Sequence, residues 1–283
     1  MPVSIPPAPA ATDGRRVRRA VLAAALSLAL VGTGTAAAGA STTTPTPSPT
    51  STPTSGTTTP APTTSPKPSP RPSPHPKATP WAPTWTTTLR PGMHGKAVTA
   101  AQKRLQSLGY WVGAADGRYG TVTTQAVLAV QKAHRMKRTG VLDAATRRAL
   151  TTGLRPKART TSGSAIEVDL RRQIVIVVAK GRTRWVLSTS TGSGKVYYQA
   201  GRREVAVTPK GRYRITRQID GTRISALGAL WRPKYFHAGY ALHGSPSVPA
   251  YPASHGCVRL TNAAMNWLWS SGNAPKGRTV WVY

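Results

Sequence analysis

The sequence predicts a multidomain α + β chain in which a small three-helix unit is followed by a mainly β domain. Three observations carry this. Helical periodicity is confined to residues 88–155, short β-rich runs fill residues 164–283, and nothing before residue 88 has the composition of a core. Strands and helices do not alternate in the second region, which argues against a parallel doubly wound sheet.

Residues 1–40 read as an export signal. Arg15, Arg16, Arg18 and Arg19 precede the apolar run "AVLAAALSLALVG" (Ala20 to Gly32), and small residues follow as far as "AAAGAS". A basic flank, a short apolar core and a small-residue end predict cleavage, placed here after Ala40. The core is shorter than the roughly 20 residues of a spanning helix. The protein is therefore expected outside the cytoplasm, membrane-tethered if the signal is retained. Residues 41–87 begin as an almost unbroken Thr, Pro and Ser tract with Lys67, Arg71, His75 and Lys77 scattered late. Such a segment cannot bury an apolar core, and proline holds it extended, so it reads as a disordered linker.

The helical unit, residues 88–155, opens with "HGKAVTAAQKRLQSLG". Val98, Ala101, Leu105 and Leu108 share one helical face, and Gly109 stands where a left-handed cap is expected. In "TVTTQAVLAVQKAH" the face is Ala126, Val127, Val130 and Ala133. A third helix, "DAATRRAL", has Asp143 as N-cap with Leu142 and Leu150 pointing inward, and "ADGRYG" between the first two is a turn. The pattern "LRPGMHGKAV…LQSLGY…DGRYGTVTTQAVLAVQ…GVLDAATRRAL" resembles the peptidoglycan-binding domain type 1 family. The resemblance implies that this unit binds cell wall.

A basic hinge, "LRPKARTTSGS", leads into residues 164–283. There "AIEVDL", "QIVIVVA", "TRWVLSTS", "GRYRITRQI" and "RTVWVY" read as strands, rich in Val, Ile, Thr, Trp and Tyr and bounded by Gly or basic turns. One late helix is expected over Asn262 to Trp269, capped by Thr261, with Met265 and Leu268 facing the core.

The formal charge of +32 is spread over both folded regions, and basic proteins seek polyanions. An anionic cell envelope is the expected partner. No nucleic-acid-binding motif is present, and nucleic acid is not expected.

The stretch "HGSPSVPAYPASHGCVRL" holds the only cysteine, Cys257. An exported chain with one thiol has no internal disulfide partner for it, which marks a reactive group or an intermolecular link. In an extended segment His255 and Cys257 lie on the same side, and Gly256 between them admits a substrate backbone. A neighbouring imidazole is expected to lower the thiol pKa and later to donate a proton to a leaving amine. Spacing does not choose between His243 and His255 for that task. His237, His75, His94 and His134 read as surface or structural histidines.

Other chemistries fit less well. The seven carboxylates are Asp13, Asp116, Asp143, Glu167, Asp169, Glu204 and Asp220, and none is within twenty residues of Cys257. A glycosidase needs two flanking carboxylates, and the one close pair, Glu167 and Asp169, lies on the opening strand. His243, His255, Cys257 and His237 would make a zinc set, but His-Gly-Cys is not a usual knuckle spacing and no paired cysteines support it. No metal and no cofactor are expected.

The same stretch resembles the active-site signature of the YkuD-type L,D-transpeptidases: a His-Gly, a gap, then Ser-His-Gly-Cys with a hydrophobic residue and Arg. "STGSG" and "TPKGRYRI" are similar to that family's strands. The resemblance implies a YkuD-like β-sandwich with Cys257 as nucleophile and His243 as proton donor and acceptor, oriented by the Gly244 carbonyl. His255 is implied to shape the pocket, Arg259 to hold the site or an acidic donor group, and backbone amides around Gly256 and Cys257 to form the oxyanion hole. Ser254 is expected to hydrogen-bond within the loop, and Tyr251 with Pro249 and Pro252 to form a rigid flap. The implied donor is a peptidoglycan stem tetrapeptide. An amine of a neighbouring stem is the implied acceptor, giving 3→3 cross-links, whereas water would make the enzyme an L,D-carboxypeptidase. Acylation by carbapenems is implied too. The chain is expected to act as a monomer.

Overall fold

The computed structural model describes residues 81–283; the expected export signal and most of the expected linker lie outside the described residues. Three helices come first. Helix α1 (Lys96–Ser107) buries Val98, Ala101 and Leu105, and α2 (Thr121–Ala133) buries Ala126, Val127 and Val130. In α3 (Ala144–Thr152) the Asp143 carboxylate accepts from the Thr146 N–H at 2.8 Å, and Gly153 ends the helix in the left-handed region. The folded part begins earlier than residue 88. Trp85 is buried in the helical core, Trp81 packs on it, and the Arg104 guanidinium lies 4.7 Å over the Trp81 ring. Two indoles thus anchor the end of the Pro/Thr tract.

The β region contains β1 (Ala165–Asp169), β2 (Ile174–Ala179), β3 (Arg182–Ser188), β4 (Val196–Gln199), β5 (Arg202–Val205) and β6 (Gly211–Arg214). It continues with β7 (Arg217–Gln218), β8 (Thr222–Ser225), β9 (Gly228–His237), β10 (Tyr240–Ser245), β11 (Val258–Thr261), α4 (Asn262–Ser270) and β12 (Thr279–Val282). One sheet runs β3-β2-β1-β12-β6 and the other β11-β10-β9-β7, with β8 also on β9; β4 and β5 form a separate hairpin. Most pairings are antiparallel, but β1–β12 and β10–β11 are parallel. Helix α4 is capped as expected, the Thr261 hydroxyl accepting from the Ala264 N–H.

The unbroken apolar run of β2 follows from its position. Successive side chains point to opposite faces. Val175 and Val177 enter the core between the two sheets, with Ile166, Val168, Val280, Leu242, Val258 and Leu260. Ile174, Ile176 and Val178 face the other way and pack, with Val186, into the same core as Tyr110, Val127 and Leu150 of the helical unit. Each such buried side chain contributes about 1.5–3 kcal/mol. The helical unit is therefore the outer layer of the first sheet, and residues 81–283 belong to one compact unit. A bridge fixes the join: the Trp111 N–H donates to the Val186 carbonyl at 3.0 Å and the Val186 N–H to that of Gly109 at 2.8 Å. Gly109 has a φ of +78°, and a Cβ there would meet the Arg184 carbonyl oxygen at 2.8 Å, so the cap must be glycine.

The connecting segment is fastened and does not behave as a hinge. Fully buried Glu167 accepts from the Arg159 N–H (3.1 Å), the Thr160 N–H (2.6 Å) and the Tyr283 hydroxyl (2.9 Å). The Thr183 hydroxyl holds the Pro156 carbonyl at 2.8 Å. Glu167 is thereby committed to structure, which removes it from any glycosidase pair.

Lys132, at the end of α2, is fully buried; its Nζ donates to the Ser188 hydroxyl (2.8 Å) and the Thr189 carbonyl (2.7 Å). Burial, with Arg138 nearby, pushes its pKa down to about 7. Between that value and about 10.4 the unfolded chain holds a proton that the folded chain has released, so stability rises with pH across this window and is insensitive to this group below it. Denaturant unfolding of wild type and Lys132→Met at pH 7 and pH 10 is expected to show the difference moving in favour of wild type as pH rises. Parallel pH profiles for the two proteins would contradict the assignment.

Candidate active site

The thiol and an imidazole meet because two strands pair in parallel. In the β10–β11 register Leu242 opposes Val258 and His243 opposes Arg259. Alternation sends Leu242, Val258 and Leu260 into the sandwich core. Ala241, His243, Cys257 and Arg259 are left on the opposite face, where Cys257 packs with Ala241, Leu230 and Tyr235. His243 and Cys257 are diagonal neighbours on that face, a spacing that longer side chains span. A residue fourteen positions before the thiol, on the far side of a loop, is thus delivered to it by the sheet.

His243 is buried, and its Nδ1 lies 2.9 Å from the Gly244 carbonyl oxygen. A carbonyl only accepts, so Nδ1 carries the proton and Nε2 keeps its lone pair. Burial pushes the His243 pKa down to about 4, the Gly244 hydrogen bond opposing this and the Arg259 charge adding to it. Gly244 itself is required by packing: a Cβ would lie 2.6 Å from Asn262 Oδ1 and 2.8 Å from Trp231 Cδ1.

Burial also raises the Cys257 thiol pKa, against the pull of the Ala241 N–H and of Arg259. This corrects the expectation of a thiol ionised by its neighbour. The resting pair is a neutral imidazole and a neutral thiol, so the proton must move as the sulfur attacks. Sγ itself lies 3.9 Å from the Gly239 carbonyl oxygen.

The loop before Cys257 is bent at residues 255–257, with φ of +136° at Gly256, so strand alternation does not put His255 beside the thiol. The His255 ring instead packs edge-on against Tyr197 of β4, with centroids 4.8 Å apart. A Cβ on Gly256 would meet Tyr240 Cε1 at 2.5 Å and the Val207 carbonyl at 2.8 Å, which makes glycine obligatory for this bend. Ser254 Oγ donates to the Cys257 carbonyl (2.6 Å) and accepts from the Gly256 N–H (3.0 Å), the loop-internal role expected of it. That bond engages the Gly256 amide. The Thr208 hydroxyl fixes the Gly256 carbonyl at 2.7 Å. Arg259 pairs with Ser190 through the backbone, and its charge lowers the pKa of both His243 and Cys257, so it flanks the two.

Several contributors were not legible in the sequence. The helical unit holds the active-site loop: Gln125 Nε2 donates to the Val248 carbonyl at 2.7 Å and Arg138 to that of Ala250 at 3.0 Å. Such long-range bonds leave no local signal. The β4–β5 hairpin, which brings Tyr197, did leave one: Ala200-Gly201, both with positive φ, between two β-rich runs. The rival zinc set is not assembled. His243 faces Gly244, His255 packs on Tyr197, and His237 is stacked between Tyr213 (4.6 Å) and Tyr240 (6.0 Å). Among the described residues no three His, Cys, Asp or Glu side chains converge as a metal site.

The peptidoglycan binding domain model matches residues 94–150, and the L,D-transpeptidase catalytic domain model matches residues 163–282. A solved L,D-transpeptidase structure (residues 123–326) from Xylanimonas cellulosilytica is 47% identical, covers 71% of this chain and 100% of that one, and superposes with a TM-score of 0.68. The chain belongs to the L,D-transpeptidase family. The overlap with that structure is longer than the catalytic domain alone, so the arrangement of helical layer on β-sandwich in this L,D-transpeptidase is shared with it. An L,D-transpeptidase from Stackebrandtia nassauensis is 24% identical over 72% of this chain and 97% of its own, with a TM-score of 0.41. One from Mycobacterium tuberculosis is 16% identical over 43% and 57%, with a TM-score of 0.35. Comparison with curated proteins returned no match.

Proposed function

We propose that this L,D-transpeptidase works outside the cytoplasm on peptidoglycan stem peptides, through an acyl-enzyme on Cys257. The observation that carries the reading is the one-face placement of Cys257 and His243, with Nδ1 of His243 tied to Gly244 and Nε2 left as a base. As Cys257 Sγ attacks the carbonyl of the donor's third residue, its proton passes to His243 Nε2. The bond to D-Ala breaks, the imidazolium protonates the departing amine, and a thioester remains. The amine of a neighbouring stem then gives a proton to Nε2 and attacks the thioester. The sulfur leaves, is reprotonated, and a 3→3 cross-link has formed.

The oxyanion of each tetrahedral intermediate needs nearby donors. With the Gly256 amide engaged by Ser254 Oγ, the Cys257 N–H is the candidate on this loop. His255 and Tyr197 form a wall of the pocket, and Arg259 holds the site electropositive beside the nascent negative charge.

The test is product analysis with a defined tetrapeptide stem and the full chain. Mass spectrometry is expected to find released D-Ala together with a stem dimer of 3→3 connectivity. Tripeptide alone, with no dimer at any acceptor concentration, would instead assign an L,D-carboxypeptidase using the same acyl-enzyme.

A further inference from the structure

A cleft of about 1050 Å³ opens where the turn after α2, the connecting segment Leu154–Arg159, the β1–β2 turn, Lys210 and the C-terminal Tyr283 meet. More than half of the residues lining it are Lys or Arg, contributed by both the helical layer and the β-sandwich. Asp169 carries the one acidic side chain among them; it already pairs with Arg172 at 3.6 Å and accepts from the Arg172 N–H at 2.9 Å. Arg135, Lys157, Arg171 and Lys210 are exposed, and among the described residues their side chains have no hydrogen-bond or ion-pair partner. Like charges gathered within roughly one Debye length, about 8 Å in physiological salt, raise one another's energy. The repulsion is relieved when a polyanion binds.

We propose that this cleft is a binding site for an anionic polymer bearing repeated phosphodiester groups, of the polyol-phosphate kind. A lone phosphate would leave most of the cleft and most of its cations unused. A bilayer surface cannot follow a concave cleft, whereas a flexible chain can. Guanidinium and ammonium groups from separate segments suit successive phosphates along such a chain, Arg offering a two-pronged match to each phosphate and Lys a point charge. The site is separate from Cys257 and does not rest on the transpeptidase reaction. It would hold the enzyme along an acidic polymer through a surface that none of the active-site residues lines.

The test uses the full chain and synthetic poly(glycerol phosphate), titrated by calorimetry at several salt concentrations. The variant is Arg135→Gln/Lys157→Gln/Arg171→Gln. It spares Arg138, which holds the active-site loop, Arg159, which stacks on Tyr283 at 3.7 Å, and Arg172. The control, Lys103→Gln/Arg223→Gln/Lys276→Gln, removes three exposed charges elsewhere. The cleft variant is expected to bind at least tenfold more weakly, with a slope of log affinity against log salt reduced by about two. Its thermal midpoint should not fall, since the substitutions only remove like-charge repulsion, and the control should bind like wild type. Equal weakening by both triples would mean only diffuse surface charge. Absence of binding by wild type at low salt would also overturn the proposal. Tighter binding of single-stranded DNA, lost in the same variant, would assign the cleft to nucleic acid instead. Tighter binding of polygalacturonate would replace phosphate by carboxylate as its ligand.

Discussion

Cys257→Ala is expected to end D-Ala release from a tetrapeptide stem, with a loss of about 10⁴-fold or more, because no other group in this face can form the acyl bond. Cys257 is the only thiol in the chain, and among the described residues the groups around it are Leu230, Tyr235 and Ala241, the Ala241 amide, Arg259 and His243, none of them a nucleophile able to carry the acyl group. Serine at the same place would not substitute. Its hydroxyl is far less acidic than a thiol, and the buried imidazole, with its pKa near 4, is a weak base that needs an acidic partner. Stability should change little, since Cys257 packs at the edge of its cluster and Ala241, Leu230 and Tyr235 stay together without it. The measurement is single-turnover acylation followed by intact-protein mass spectrometry, with a carbapenem as the acylating probe and the tetrapeptide as the substrate. Wild type should gain one adduct on Cys257 and the variant none. Continued D-Ala release by a folded Cys257→Ala protein would remove the covalent mechanism. An unchanged cellular role for the variant would favour a wall-binding protein in which the reaction is incidental.

What could be read from the residues divides along a physical line. Elements whose signals are local came through: the left-handed glycine after α1, the Asp143 and Thr261 caps, and the β-rich runs at β1, β2, β3, β6 and β12. The His-Gly and Ser-His-Gly-Cys pattern lies where β10 and β11 bring His243 and Cys257 onto one face. Partnerships between distant segments did not come through. β2 is apolar on both faces because two cores flank it, yet its sequence does not say that the second is the helical unit. The bonds from Gln125 and Arg138 to the active-site loop span more than a hundred residues, and the signal for the basic cleft is scattered over five segments. The ionisation of the thiol went the other way from expectation for the same reason. Proximity to an imidazole was visible in the motif, but the burial that outweighs it is a property of the folded sheet.

The two histidines should separate sharply. His243→Ala is expected to lower acylation by about 10²–10⁴-fold, the range of a positioned general acid–base, whereas His255→Ala should cost about tenfold or less, through a loosened Tyr197 wall. The reason lies in the hydrogen bonds. His243 is turned by Gly244 so that one nitrogen is a base, while His255 packs on an aromatic edge. The pH dependence distinguishes a proton-transfer role from a packing one. Below about pH 4 His243 is protonated and cannot accept the thiol proton, so kcat/KM for the donor should fall only as pH drops toward 4 and stay level through pH 6–7. The same shift has a stability consequence of known sign. The His243 pKa is lower in the folded chain than the unperturbed value of about 6.5, so between the two the unfolded chain binds the extra proton and stability rises with pH from about 4 to 6.5. His243→Gln should lose both the acid limb of the rate profile and this rise in stability, while His255→Gln should keep both. An acid limb that vanishes in His255→Gln, with His243→Gln still acylating, would exchange the roles of the two.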